Sequence, residues 1–250
     1  MNYVLVIDSG VGGVSILKEL RKKFPSENFL YVLDNKFCPY GNKPKILLRK
    51  HIHKLICSFL QMYNIKLIVL ACNTLTATTI SYLRKKFKLN FVGTEPPIRK
   101  ADKDEKTLLI ATKQTIKNSK LLKKYKGNKK VKFVALKKVA KLLDENFYDR
   151  KKIIKSLEKQ IKQKNFQNVV LGCTHYYFLK KEIEEVLGHR VNFFSATSGV
   201  VKRCENYLTS KNEKSGTIQI CLTKSDQNLK KTVENILQNW NLLDFYILFW

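Results

Sequence analysis

Short apolar runs alternate with amphipathic stretches along this chain, and this alternation limits the folds that it can adopt. The runs are continuous and mostly rich in β-branched residues, which is typical of strands buried on both faces of a parallel sheet. They occupy residues 3–7, 29–33, 67–71, 91–93, 107–111, 131–135, 169–171, 191–194, 217–222 and 242–250. Strands that alternate with helices predict an α/β architecture with mainly parallel sheets.

Helical spacing of apolar residues fills most of the gaps between these runs. Among the predicted helices are one over 74–87 with Thr74 as its N-cap, one that ends near 125, and others over 138–146, 149–164, 176–187 and 226–240. A polar, flexible loop is predicted over 209–216. His51 and His53 lie on a predicted helix but face different directions, so we interpret both as surface or packing residues.

Two of the predicted strands end alike, with a cysteine followed by hydrogen-bonding residues. One leads into Ala71-Cys72-Asn73-Thr74 and the other into Gly172-Cys173-Thr174-His175. In parallel sheets the ligand site lies beyond the carboxyl ends of the strands. We therefore predict that Cys72, Cys173 and Asp8, which ends the first strand, belong to one active site between two similar domains.

The first strand is followed by a glycine-rich turn, residues 8–13, and then by a helix. Backbone N–H groups in such a turn favour a carboxylate or a phosphate. The turn is not the dinucleotide fingerprint, because Ser15 stands where the third glycine belongs, and it lacks a Walker lysine. Asp8 is a candidate for the chemistry, with a plain helix N-cap as its alternative role.

Two thiols on opposite faces of one carbon form a proton-transfer pair. A thiolate removes a proton from one face while the opposing thiol donates one to the other, so the product is the mirror image. A free thiol has a pKa of about 8.5 and is mostly protonated at neutral pH. We expect helix N-termini to lower the pKa of Cys72 and Cys173, and Asp8 and His175 to relay protons. No covalent intermediate on Cys173 is expected.

The remaining cysteines and histidines indicate neither a disulfide framework nor a metal site. Six cysteines are spread along the chain without a Cys-x-x-Cys pair, and the four histidines complete no ligand spacing. We therefore expect free thiols in a reducing compartment and no metal, with Cys38, Cys57, Cys204 and Cys221 structural. No apolar run approaches the roughly 18 residues that span a bilayer, so we expect a cytoplasmic protein without membrane contact.

The formal charge of +28 raises the question of nucleic-acid binding. Lysine and arginine occur in scattered pairs and triplets, mostly on the polar faces of predicted helices, and are not concentrated in one tail or one recognition helix. This pattern favours a lysine-rich solvated surface, with some affinity for nucleic acid or other anions as a secondary property.

Four segments, in this order and at this spacing, closely resemble the glutamate racemase family: residues 8–13, Pro39-Tyr40-Gly41, Ala71-Cys72-Asn73-Thr74 and Gly172-Cys173-Thr174-His175-Tyr176. The match extends in register over nearly the whole chain. It implies the aspartate/glutamate racemase fold, with a first α/β domain of residues 1–95 and 208–250 and a second of 96–207. It also implies cofactor-independent interconversion of L- and D-glutamate, which supplies D-glutamate for peptidoglycan.

The resemblance also assigns roles to individual residues. Cys72 and Cys173 are the acid/base pair, assisted by Asp8 and His175. The substrate-binding residues it implies are Asp8, Ser9, Tyr40, Gly41, Asn73, Thr74, Thr112, Thr115, Thr174 and His175. Either Asp144 or Glu145 fills the family's acidic position near the ammonium group, and we select Asp144.

Alternative functions differ in class. Aspartate racemase and racemases of other amino acids share the two-cysteine chemistry, and the depth of the pocket decides between substrates. A basic, nucleic-acid-associated protein that keeps the fold is the other alternative, supported by the charge alone. The expected partners are the small-molecule substrate and a second copy of the chain in a homodimer.

Overall fold

The computed structural model describes residues 1–101, 105–209, 215–240 and 245–249. The described strands are β1 (Asn2–Asp8), β2 (Asn28–Leu33), β3 (Asn64–Leu70), β4 (Asn90–Gly93), β5 (Thr107–Ala111), β6 (Val131–Ala135), β7 (Asn168–Gly172), β8 (Asn192–Phe194), β9 (Ile218–Leu222) and β10 (Phe245–Phe249). Their positions agree with the predicted apolar runs. Residues 210–214, 242–244 and 250, part of the predicted loop and last strand, lie outside the described residues.

The helices connect these strands in alternation. They are α1 (Val14–Lys23), α2 (Lys45–Met62), α3 (Asn73–Lys86), α4 (Lys113–Asn118), α5 (Lys120–Lys123), α6 (Val139–Glu145), α7 (Arg150–Glu158), α8 (Lys180–Leu187), α9 (Thr197–Cys204) and α10 (Gln227–Gln238). Short 3-10 helices occupy Val11–Gly13, Tyr40–Asn42, Ile98–Lys100 and Thr174–Leu179. None of the described helices is both long and apolar enough to cross a membrane.

The strands form two sheets, in which each described strand pair is parallel. The first has six strands in the order β10-β9-β2-β1-β3-β4, and the second has four in the order β6-β5-β7-β8. The chain thus leaves the first sheet after β4, builds the second, and returns with β9 and β10. The predicted α/β class with parallel sheets is confirmed, and the exact domain boundaries stay a prediction.

Strand β1 shows why its run of apolar residues is continuous. Val4 and Val6 point into one core cluster, whereas Leu5 and Ile7 point into another on the opposite face of the sheet. A strand covered on both faces needs apolar residues at every position, and each fully buried aliphatic side chain contributes about 1.5–3 kcal/mol. The cluster of Val4 and Val6 also contains Leu108 of β5. The two sheets therefore share one core below their strand ends.

Several helix predictions need correction. Thr74 is not an N-cap, because α3 already begins at Asn73 and Cys72 holds the cap position. The helix predicted to end near 125 is interrupted at Ser119, where the backbone is extended. The hydroxyl of Ser119 then caps a new helix, α5, by accepting a hydrogen bond from Leu122 N–H. The helices predicted over 149–164 and 176–187 are shorter: α7 ends at Glu158, and the start of the second is the 3-10 helix Thr174–Leu179.

Candidate active site

The carboxyl ends of strands from both sheets meet around a cavity of about 570 Å³. Cys72 follows β3 of the first sheet, Cys173 follows β7 of the second, and both line this cavity. Both cysteines are buried, with 6% of Cys72 and 7% of Cys173 exposed. The other predicted residues on its wall are Ser9, Tyr40, Gly41, Thr74, Thr112 and His175. The structure therefore brings both cysteines to one cavity, as the matched strand ends predict.

Cys72 is held as a neutral thiol by its surroundings. Burial raises its pKa well above the usual value, and the charge of Asp8 acts in the same direction. The backbone N–H groups of Thr74 and Leu75, at the start of α3, act in the opposite direction but are outweighed. Our expectation that the helix N-terminus lowers the pKa of Cys72 is therefore wrong, because the pKa is raised overall. The surroundings of Cys72 therefore favour the protonated thiol, which can donate a proton.

Cys173 lies at the end of a hydrogen-bonded row of side chains. His175 Nδ1 is 3.8 Å from Cys173 Sγ, and His175 Nε2 is 3.0 Å from Asp144 Oδ1. Burial alone would lower the pKa of His175, but the carboxylate of Asp144 raises it well above its usual value. The resulting imidazolium lies next to the sulfur of Cys173, where it can exchange a proton with it.

The structure distinguishes Asp144 from Glu145, which the sequence leaves open. Asp144 also accepts hydrogen bonds from Val11 N–H at 3.0 Å and from the Cys38 thiol at 3.5 Å. Glu145 is exposed and pairs with Lys141 instead. Asp144 lies behind His175 and not on the cavity wall, so it orients the imidazole in this structure.

Asp8 links the two strand-end loops. It is completely buried and accepts hydrogen bonds from Ser9 N–H at 2.6 Å and from the Thr174 hydroxyl at 2.9 Å. Burial raises the pKa of Asp8 to about 6, although the charge of His175 and both hydrogen bonds act in the opposite direction. A carboxyl group that titrates near neutrality is suited to proton relay.

The pKa of Asp8 predicts a stability effect with a defined sign. Since the folded-state pKa of about 6 exceeds the usual 3.8, the folded state holds this proton more tightly, and the contribution to stability is lost as pH rises from about 4 to 6. Asp8→Asn removes the ionisation and should raise the free energy of unfolding by on the order of 3 kcal/mol at pH 7.5, with almost no gain below pH 4. Urea unfolding across this pH range measures it.

The control for this variant is Asp226→Asn, at an exposed helix N-cap where asparagine caps equally well. It should show no comparable gain at either pH. An Asp8→Asn protein that is destabilised at pH 7.5, or equally stabilised at pH 4, would contradict the assignment.

Three threonine hydroxyls join the two sides of the cavity. Thr74 Oγ1 lies 2.8 Å from Thr112 Oγ1 and 3.1 Å from Thr115 Oγ1, and the last two are 2.9 Å apart. Gly41 packs closely on Thr112, as a Cβ built at Gly41 would lie only 3.1 Å from Thr112 Cβ. Residues from both sheets thus close the cavity on the side of α4.

Four of the predicted binding residues make different contacts. Asn73 donates its amide to Thr94 O at 3.4 Å, and Thr174 donates to Asp8. Asn73, Thr174, Asp8 and Thr115 do not line the cavity in this structure but support the residues that do. Tyr40 lines it with its ring, while its hydroxyl points to Asp34.

Five lysines surround the opening of the cavity, a feature that our sequence analysis did not identify. They are Lys113, Lys117, Lys137, Lys138 and Lys141, all exposed. The lining contains no aspartate or glutamate. Lys137 and Lys138 follow Leu136, the first residue after β6, so their place near a carboxyl strand end was the available signal. This arrangement attracts an anionic small molecule.

Within the described residues, no group of three or more His, Cys, Asp and Glu side chains is placed to hold a metal ion. The titratable groups at and behind the cavity wall include the two thiols, the imidazole of His175 and the carboxyl groups of Asp8 and Asp144.

Comparison with known proteins was carried out on the sequence and on the fold. No protein-family model matches the chain. The glutamate racemase of Buchnera aphidicola subsp. Schizaphis graminum (strain Sg) is 34% identical over 247 residues, which cover 92% of this chain and 93% of that protein. The crystal structure of glutamate racemase from Campylobacter jejuni subsp. jejuni has a TM-score of 0.82 and 25% identity, covering 95% of this chain and 98% of that one. Glutamate racemase from Thermus thermophilus, solved in complex with β-chloro-D-alanine, has a TM-score of 0.78 and 26% identity, covering 99% and 96%.

Proposed function

Because this chain belongs to the glutamate racemase family, and is therefore an amino-acid racemase of the isomerase class, we propose that it interconverts L- and D-glutamate through two cysteines. The observation that carries the proposal is the placement of Cys72 and Cys173 on one cavity, each delivered by a parallel strand of a different sheet. Inversion needs proton carriers on both faces of the α-carbon, and two separate strand ends can provide them.

The substrate is proposed to lie between the two thiols with its α-carboxylate at the strand-end loops. The backbone N–H groups at the start of α3, at Asn73 and Thr74, suit this anion because a helix N-terminus favours negative charge. Asp8 belongs to the loop after β1, and Thr174 and His175 belong to the loop after β7. The hydrogen bond from Thr174 to Asp8 joins these two loops. His175 lines the cavity, whereas Asp8 and Thr174 lie behind its wall, and together these side chains keep both thiols in place.

Proton transfer follows from the different surroundings of the two sulfurs. In one direction Cys173, which lies next to His175, removes the α-proton as a thiolate, and the Cys72 thiol donates a proton to the opposite face. In the reverse direction Cys72 is the base and Cys173 the acid, with Asp8 and His175 accepting and returning protons. One proton leaves the α-carbon and one returns to its opposite face, so the step is balanced by the two thiols, and we propose that no cofactor is needed.

An acidic substrate is supported by the charge around the opening. The five lysines favour an amino acid with a carboxylate side chain over a neutral one. The choice of glutamate over aspartate rests on the family membership. We propose that the D-glutamate formed supplies peptidoglycan synthesis.

The direct test is incubation with L-glutamate in heavy water. We expect decay of the circular dichroism signal to zero, together with one deuterium at the α-carbon of the product. L-Aspartate and L-glutamine are assayed as alternative substrates under the same conditions. Absence of both inversion and α-deuterium in glutamate would refute the proposal, and faster inversion of aspartate would reassign the substrate.

A further inference from the structure

A second buried carboxylate, that of Asp34, lies next to the active site but does not line the cavity. It follows β2 and is completely buried. Its Oδ2 accepts from the Tyr40 hydroxyl at 2.7 Å and from His51 Nε2 at 2.5 Å, and its Oδ1 accepts from the Thr223 hydroxyl at 2.8 Å. One carboxylate thus ties together the end of β9, helix α2 and the loop that contains Tyr40.

The loop of residues 35–43 is held at a second point by an aromatic stack. The ring of Phe37 lies on the imidazole of His51, with centroids 3.9 Å apart and planes inclined by 14°. The ammonium group of Lys43 sits 4.6 Å from the centre of the Phe37 ring. His51 therefore contacts both the buried carboxylate and the loop.

The far end of this loop forms one wall of the cavity and touches the second sheet. Tyr40 and Gly41 line the cavity, and Gly41 packs against Thr112. Gln114, on α4, donates its amide to Lys43 O at 3.2 Å. The position of the loop therefore decides how the cavity is closed above the substrate.

We infer that Asp34 and His51 are positioning residues, which hold the Tyr40–Gly41 wall in the form that binds the substrate. Neither residue lines the cavity, so both act through Tyr40 and the loop. The expected effect on KM rests on the proposed function, whereas the expected effect on the position of the loop does not. Loss of the contact between His51 and Asp34 releases the loop while Cys72, Cys173 and His175 keep their places.

The test compares His51→Leu, which keeps an apolar side chain against Phe37 but donates no hydrogen bond, with His51→Gln, which retains a donor. We expect His51→Leu to raise KM for glutamate about 10-fold with kcat within about threefold of the parent, because a hydrogen bond to a buried carboxylate is lost. His51→Gln should recover KM to within about threefold. Thermal unfolding of each variant verifies that the protein is folded.

His53, two residues along the same helix, provides the matched control. Its ring contacts Tyr82 and Phe87 and not the loop. His53→Leu should leave KM and kcat at the parent values. An unchanged KM in His51→Leu would overturn the inference, as would a His51→Gln protein that is as impaired as His51→Leu.

Hydrogen exchange separates this inference from the proposed function. In the ligand-free protein, amides of residues 35–43 should exchange at least about 10-fold faster in His51→Leu than in the parent, His51→Gln or His53→Leu. This readout needs no activity, so it remains decisive if the parent fails to racemise glutamate. Equal exchange in all four proteins would refute the positioning role.

Discussion

Replacement of either Cys72 or Cys173 with alanine is expected to lower the rate of glutamate racemisation by about 10³-fold or more. In the proposed mechanism each thiol acts as a base for one enantiomer and as an acid for the other, and a positioned acid or base contributes about 10²–10⁴-fold. Cys57→Ala, a half-buried cysteine on α2, is the control and should keep the parent rate. Inversion is followed by circular dichroism from both L- and D-glutamate.

The two cysteine variants should also differ from each other in heavy water. With one thiol removed, the remaining one can still deprotonate the enantiomer whose α-hydrogen faces it and return deuterium to the same face. Cys72→Ala should therefore exchange the α-hydrogen of one enantiomer without inversion, and Cys173→Ala that of the other. If both variants racemise at the parent rate, or both exchange the same enantiomer, the two-cysteine assignment is wrong.

Gly12→Ala is expected to cause the second largest loss, about 10²-fold in kcat/KM, although Gly12 bears no chemical group. A Cβ at this position would lie 2.5 Å from His175 Nδ1 and 2.6 Å from His175 backbone N. The backbone atom cannot be moved by a side-chain rotation, so the loop that carries Cys173 has to shift away from the first sheet. A displacement of about 1 Å at a reacting group is enough for a loss of this size.

The matched control is Gly199→Ala, in helix α9, where a Cβ would meet no atom within 4 Å. This variant should keep full activity and gain up to about 1 kcal/mol of stability from the better helix propensity of alanine. Steady-state kinetics and urea unfolding of both proteins are the measurements. A fully active Gly12→Ala protein would show that the two loops can separate without consequence.

The sequence was sufficient for the fold class and for the two cysteines, because both depend on local patterns. A continuous apolar run indicates a buried parallel strand, and a cysteine directly after such a run must lie at the carboxyl edge of the sheet. Cys72 and Cys173 meet these conditions without any knowledge of tertiary contacts. Their meeting on one cavity then follows from two sheets that face each other.

Some properties of the site depend on packing between distant segments, so they could not be predicted from local sequence patterns. The net pKa of Cys72 is decided by how completely the surrounding chain buries it, so the local helix N-terminus gave the wrong sign. Asp144 and Glu145 are adjacent in sequence, and only the orientation of α6 against His175 separates them. The contact of His51 with Asp34 cannot be read from the helical pattern, because Asp34 lies on another element.

The return of the chain to the first sheet has a consequence for the order of folding during synthesis. Strands β5 to β8 are consecutive, so the second sheet can form as soon as they have left the ribosome. The first sheet pairs Phe29 of β2 with Ile218 of β9, and this distant contact must wait until almost the whole chain is available. Thr223, which follows β9, reaches Asp34 at that same late stage. The nascent protein therefore exposes an unpaired β2 edge until its last strands arrive, and the cavity wall is completed only then.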